Sequence, residues 1–209
     1  MKFSCEKYLL QNAVAVCSRA AAEGILLEAG ERLRVTGYDL KKGIYTDMEA
    51  DVAEPGSVVL NARLFGEMVR RLPDGIVTIE SDSKDMTNVR CGKAEFAFMG
   101  ISSDDYPELP SVNGLTTYYM EQSRLKTMIT ETSFAISEDD SRPVYTGAKF
   151  EVDPGTLTLI AVDGFRLAVR RDEIEGAEAH NEFVVPGTAL SDVERISSND
   201  GKEKIAISV

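Results

Sequence analysis

Paired carboxylates are the first residues in this chain to weigh for chemistry, because two acidic side chains side by side can hold magnesium. Asp104-Asp105 and Asp139-Asp140 are such pairs. Both fall in linker-like or turn-like sequence, where solvated carboxylates are the default. His180 is the only histidine. It lies in EGAEAHNEF, a polar, turn-like stretch, whereas Ser-His-Asp chemistry needs a histidine held by the fold. Cys5, Cys17 and Cys91 are odd in number, far apart and without a CxxC pair. With a single histidine beside them, a Cys/His zinc site and a disulfide framework are both disfavoured. Free thiols fit a reducing, cytoplasmic setting. The motifs GxxxxGK[ST], GxSxG and a strand-borne GxGxxG are missing. The expectation is no catalytic residue, no metal and no cofactor. The enzymatic alternative is a carboxylate enzyme in which Asp39 and Asp163 share a metal.

Two other constellations suit binding. The first is Arg142, Tyr145, Val162, Phe165, Arg166 and Leu167. In VDGFRLAV, Asp163-Gly164 signals a turn, and an arginine then sits between two large apolar residues. Such a strand edge can dock a peptide; the alternative is a packed hairpin with Arg166 solvated. The second is Arg70-Arg71, which can reach phosphates, a contact that positions without reading sequence. Its alternative is an ordinary solvated helix face. The net charge of -12 implies a surface that repels nucleic acid and anionic membrane on average, so any DNA contact needs a local basic cluster. Across the four expected helices basic and acidic side chains cancel, which leaves the acidic excess outside them. A hydrophobic fraction of 43% is enough for ordered cores. No apolar run approaches the ~20 residues of a membrane span. Ala20-Ala22 resembles a signal cleavage site, but Glu6, Lys7, Gln11 and Asn12 interrupt the apolar stretch it would need.

The elements that must position these residues follow from periodicity. KFSCE alternates, with Phe3 and Cys5 on one side, and reads as a strand. Residues 6–19 turn helical, with Leu10, Val14 and Cys17 on one face. GILLEAG, ERLRVTG and a stretch over 42–52 read as a strand meander with Gly30 and Gly37 at turns. SVVLNA is a strand, and Asn61 caps a helix over 61–74 that Pro73-Asp74-Gly75 stops. IVTIES, MTNVRC and AEFAFMG are strands. SSDDYPELPSVNG, residues 102–114, reads as a linker. The order then recurs: strand LTTYYM, helix 121–134, strands YTGAKFEV, TLTLIAVDG, FRLAVRR and NEFVVPG, helix 187–200 and strand KIAISV.

That recurrence is an internal repeat. Leu9 matches Leu125, Asp39 matches Asp163, Val59 matches Val185 and Ile79 matches Ile207. The first copy is eight residues shorter between its helix and the Asp39 strand, near Ser18–Gly24. The first copy continues from Ile79 to Pro110, whereas the second stops two residues after Ile207, so the chain is expected to be part of a longer one. The fold class is α+β: tandem repeated domains over 1–110 and 115–209, the second incomplete, each with two helices packed on antiparallel sheets.

MKFSCEKYLLQNAVAVCSRA, GILLEAGERLRVTGYDL, FAISEDDSRPVYTGAKFEV, LTLIAVDGFRLAVRR and FVVPGTAL resemble the bacterial DNA polymerase III beta subunits, the sliding clamps. The similarity covers essentially the whole chain, with SRPVYTG and AVDGFRLAV the most specific segments. The resemblance implies a DNA clamp fold: three-domain chains that dimerise head-to-tail into a ring, helices lining the channel and sheets forming the rim. It implies that the third clamp domain is absent here, and that residues are missing near Ser18–Gly24. It places a cleft for polymerase and loader peptides at domains two and three, with Arg142, Tyr145, Val162, Phe165, Arg166 and Leu167 as its domain-two wall. It places DNA contacts on Arg19, Arg63, Arg70, Arg71, Arg124 and Lys126. The implied partners are double-stranded DNA, the replicative polymerase, the clamp loader, other clamp-binding replication and repair proteins, and a second copy of the chain, with no membrane. The implied function is a processivity factor for DNA replication that makes and breaks no bond. A third reading is a duplicated scaffold that binds peptides without any ring.

Overall fold

A computed structural model describes residues 1–110 and 116–209. The chain divides into two compact units, Met1–Pro110 and Ser111–Val209. Residues 111–114 of the expected linker, and Leu115 of the strand expected after it, lie outside the described residues.

Unit 1 runs β1 (Lys2–Glu6), α1 (Lys7–Cys17), β2 (Gly24–Ala29), β3 (Leu33–Tyr38), β4 (Gly43–Met48), β5 (Asp51–Glu54), β6 (Gly56–Asn61), α2 (Ala62–Arg71), β7 (Ile76–Ser81), β8 (Met86–Cys91) and β9 (Ala94–Met99). Two antiparallel sheets form, ordered β5-β1-β7-β8-β9 and β4-β3-β2-β6. The stretch over 42–52 is therefore two strands. Its first part stays beside β3, and after Glu49-Ala50 the chain crosses to the other sheet and pairs with β1. α1 packs on β3, β4 and α2. It buries Leu10, Ala13, Val14 and Cys17, the spacing of one helical face. Gly37 is inside β3 rather than at a turn: a Cβ there would overlap the Cys17 carbonyl, so glycine lets the end of α1 lie on the strand.

Unit 2 runs β10 (Thr117–Glu121), α3 (Gln122–Thr132), β11 (Gly147–Asp153), β12 (Thr156–Val162), β13 (Leu167–Glu173), β14 (Asn181–Pro186), α4 (Gly187–Ile196) and β15 (Lys204–Ser208). β13-β12-β11-β14 repeats the order β4-β3-β2-β6, and β10 pairs with β15 as β1 pairs with β7. α3 lies on β12, β13 and α4, as α1 lies on β3, β4 and α2. Each unit has its own apolar core, centred on Phe3, Leu10, Leu27 and Phe65 in unit 1 and on Tyr118, Met128, Ile129 and Leu159 in unit 2.

The repeat is as expected in order and shifted by one residue at two of its four anchors. Burial pairs Leu10, not Leu9, with Leu125, and carries on through Val14 with Ile129. Register pairs Val59 with Val184, because Val59 faces Leu26 and Val184 faces Lys149, its counterpart. Side chains alternate along a strand, so a one-residue slip exchanges the core face for the solvent face. The eight-residue difference is where the sequence put it. The helix-to-strand connection spans residues 18–23 in unit 1 and residues 133–146 in unit 2. The longer one contains two single-turn 3₁₀ segments, Ser133–Ala135 and Pro143–Tyr145.

Candidate functional site

On α2, Asn61 Oδ1 accepts the Leu64 amide at 3.0 Å and fixes the helix start. Ala62, Phe65, Met68 and Val69 face the core, which leaves Arg63, Arg70 and Arg71 outward. Arg63 Nε is 3.3 Å from Glu67 Oε1, one turn along. Arg70 and Arg71 stand exposed in the last turn, where the carbonyl end of the helix favours cations. Neither has a side-chain partner among the described residues. A cleft of about 270 Å³ runs between α1 and α2, lined by Gln11, Ser18, Arg63, Gly66 and Arg70 among others. The buried Ser18 Oγ has no hydrogen-bond partner among the described residues.

The basic residues of α3 are placed otherwise. Arg124 reaches Asp172 at 3.0 Å and Glu121 and Glu173 at 3.4 Å each, and the Asp172 carboxylate holds its pKa above the ordinary arginine value. Lys126 Nζ donates to the Ser197 carbonyl at 3.1 Å, just past the end of α4. Both are spent inside unit 2. Arg19 is not helical: α1 stops at Cys17, and Arg19 lies in the following turn, its amide bonded to the Val16 carbonyl.

The β12–β13 hairpin is closed by Asp163. Its Oδ1 accepts the amides of Phe165 (2.9 Å) and Arg166 (3.0 Å), and its Oδ2 lies 2.8 Å from Arg166 Nε. The Phe165 amide, then the Arg166 guanidinium, hold this carboxyl below the usual aspartate range. Gly164 takes φ +93°, which an L side chain adopts only with strain. The turn therefore presents Phe165 fully exposed (100%) and Leu167 mostly so (63%), with Val162 directly opposite Leu167. Arg166 lies with Cζ 5.6 Å from the centre of the Phe134 ring, itself 55% exposed. Phe134 was not singled out from the sequence. Its signal was an aromatic residue at the end of a helix, outside the Leu125/Ile129 stripe. Arg142 and Tyr145 lie further along the connection that carries Phe134, around the Pro143–Tyr145 turn, with Arg142 exposed and Tyr145 half-buried.

Asp39 builds the same turn in unit 1. Its Oδ1 accepts the amides of Lys41 (2.9 Å) and Lys42 (2.8 Å), and its own amide donates to the Lys42 carbonyl at 3.2 Å, as Asp163 does to Arg166 at 3.4 Å. Slight burial pulls the Asp39 carboxyl up. The Lys42 and Lys41 amides and ammonium groups outweigh it and hold the carboxyl low. Each of these aspartates is occupied by its own turn. Asp139 likewise accepts the Ser141 amide at 2.9 Å, and Asp104-Asp105 lie in a 3₁₀ turn. Among the described residues no three His, Cys, Asp or Glu side chains are grouped to hold a metal. His180 pairs on the surface with Asp153, Nδ1 to Oδ1 2.9 Å. No helix among the described residues is long and apolar enough to cross a membrane.

Residues 1–110 match the family model of the DNA polymerase III beta subunit, N-terminal domain, and residues 119–209 that of its central domain. The chain belongs to the DNA polymerase III beta subunit family. The beta sliding clamp of Synechococcus elongatus is 34% identical over 218 aligned positions, covering 98% of this chain and 58% of the relative. That of Bacillus subtilis is 36% identical over 157, covering 75% and 41%. The crystal structure of the Bacillus subtilis DNA polymerase sliding clamp superposes with a TM-score of 0.95 at 30% identity, over 100% of this chain and 60% of that one. The Caulobacter crescentus sliding clamp gives 0.91 at 27% over 100% and 60%. The chain thus spans about three fifths or less of these beta subunits, and its α+β architecture is the sliding clamp fold.

Proposed function

We propose that this chain is the first two domains, 1–110 and 115–209, of a sliding clamp that encircles duplex DNA and tethers the replicative polymerase during replication. Its role is topological rather than chemical. A ring keeps its hold on DNA without tight binding, so loose, water-mediated phosphate contacts suffice and sliding stays fast. A tethered polymerase then meets template at high effective concentration. The observation that carries the reading is the pair of outward basic side chains, Arg70 and Arg71, in a chain of net charge -12. Arg63 and Arg19 join them as DNA contacts. Arg124 and Lys126 contribute less, because their charge is engaged within their own unit.

The peptide-docking wall is Val162, Phe165, Arg166 and Leu167 on the hairpin, with Arg142 and Tyr145 on the connection beside it. The polymerase, the clamp loader and other replication and repair proteins would share this wall. Phe165 supports it, being an aromatic side chain held in water with no core to fill. β9 supports a homodimer. It is an edge strand with Phe96 and Met99 exposed, and an uncovered apolar edge invites pairing with another chain.

The test uses a peptide from the polymerase's clamp-binding segment. Replacing Arg166 and Leu167 by Ala should abolish binding by fluorescence anisotropy while oligomerisation is unchanged; unaltered affinity overturns the pocket. The full-length protein should stay on nicked circular DNA and slide off once the circle is cut.

A further inference from the structure

The Asp39 turn forms one wall of a pocket of about 420 Å³ on unit 1. Tyr38 and Val59 line it from the sheet, and the chain after β9 supplies Ile101 and Tyr106. That second wall is bonded in place. Ile101 and Val59 exchange both backbone hydrogen bonds, at 2.9 and 3.0 Å. The Tyr106 hydroxyl lies 3.3 Å from the Thr36 carbonyl and 3.5 Å from that of Gly24. The segment expected to be linker from residue 102 is, up to this point, part of unit 1. The pocket is therefore preformed, which lowers the entropic cost of filling it.

Leu40 stands at its mouth with φ +69° and 71% exposed. The equivalent position in unit 2 is Gly164. A leucine in the left-handed region is strained, and such residues gather where the surroundings and a function hold them. Nothing in the core requires this side chain, since most of it is in water. The rim is acidic at Glu23 and Asp105, both exposed; Lys41 and Lys42 follow Leu40 in the turn, their amides bonded to Asp39.

We propose that this pocket is a second docking site, taking one apolar side chain of a partner peptide whose flanking residues are basic. The apolar lining selects the anchor, and Glu23 and Asp105 select the charge of its neighbours. The site is separate from the Asp163 hairpin: its walls come from residues 22–24, the end of β3 with the Asp39 turn, β6 and the segment 101–107, all in unit 1.

The test is photo-crosslinking of the whole chain with a capped peptide, Lys-Arg-X-Lys, in which X is benzoylphenylalanine, and with its acidic counterpart, Glu-Asp-X-Glu. Adducts of the basic peptide should map to residues 38–40 and 101–107, with a yield at least fivefold above the acidic peptide. Leu40→Gly should lower that yield at least fivefold. Glu23→Lys with Asp105→Lys should invert the preference between the two peptides. Leu167→Ala should leave the yield at residues 38–40 and 101–107 unchanged, because Leu167 lies on the β12–β13 hairpin of unit 2. All four altered side chains are exposed, and a melting temperature no lower than that of the unaltered chain confirms that the variants are folded. Equal yields from the two peptides, or adducts confined to residues 162–169, overturn the proposal. The second result would leave the hairpin wall standing and remove only this pocket.

Discussion

The Asp39 and Asp163 turns are built alike and finished differently. In both, one carboxylate oxygen gathers two amides, and the residue after the aspartate has a positive φ. Around Asp163 the tip carries Gly164, Phe165 and Arg166, and the longer connection 133–146 brings Phe134 beneath the arginine. Around Asp39 the tip carries Leu40, Lys41 and Lys42. The shorter connection 18–23 brings no aromatic ring, only Ala22 and Glu23, and the chain after β9 comes alongside as well. The helices show the same divergence. α2 ends on two exposed arginines, Arg70 and Arg71, whereas its counterpart α4 ends on one, Arg195, and α3 ties Arg124 to three carboxylates. A duplicated scaffold keeps what closes the backbone and varies what reaches water. Turn geometry and core packing are shared requirements, and exposed side chains are not.

The sharpest way to break this comparison is through the cores. Phe65 is fully buried in unit 1, and Phe65→Ala should cost about 3–5 kcal/mol. Hydrogen exchange should then accelerate through α1, α2 and the unit 1 sheets and stay unchanged in unit 2. Acceleration in both would mean that the cores are not independent.

A smaller effect separates the helix faces. Replacing Arg70 and Arg71 together by Ala should flatten the dependence of log K on log salt for duplex DNA by about 2, close to one unit for each phosphate no longer neutralised. Arg124→Ala should change that slope by well under ~1, because its charge is already engaged, and should lower thermal stability instead. A salt titration of both variants decides it; equal slopes would erase the distinction between α2 and α3.

The smallest effect belongs to unit 2 alone, since unit 1 has no histidine. The bond to Asp153, then the nearby carboxylates, raise the His180 pKa. By NMR its midpoint should lie above the ~6.5 of an unstructured histidine, and Asp153→Asn should bring it down. The sign follows from linkage: a raised folded pKa contributes stability that is complete below pH ~6.5 and lost as pH rises through the raised midpoint. A midpoint unmoved by Asp153→Asn would remove the pairing.

Much of this was legible in the residues. Leu10, Val14 and Cys17 announced α1, and Leu125 and Ile129 announced α3, because a buried helix face must repeat at three and four. Asp39 and Asp163 were matched as equivalents, and both proved to be the same hydrogen-bonded turn. The repeat register was a residue out at Leu9 and Val59, since neighbouring apolar residues on a chain look interchangeable until one of them is buried. Gly37 read as a turn because glycine marks turns and close approaches equally, and only the position of Cys17 against β3 tells them apart.

The duplicated α+β plan, the order of the elements and the place of the eight-residue difference could be read from the residues, since periodicity and turn chemistry act between near neighbours. The tertiary structure alone decided which arginines remain available, that Phe134 lies under Arg166, and that Ile101 and Tyr106 wall a pocket beside Leu40. Those facts depend on residues brought together from distant parts of the chain. Asp172 is 48 positions from Arg124, and Thr36 is 70 from Tyr106. No local pattern encodes which charges and which apolar faces will meet.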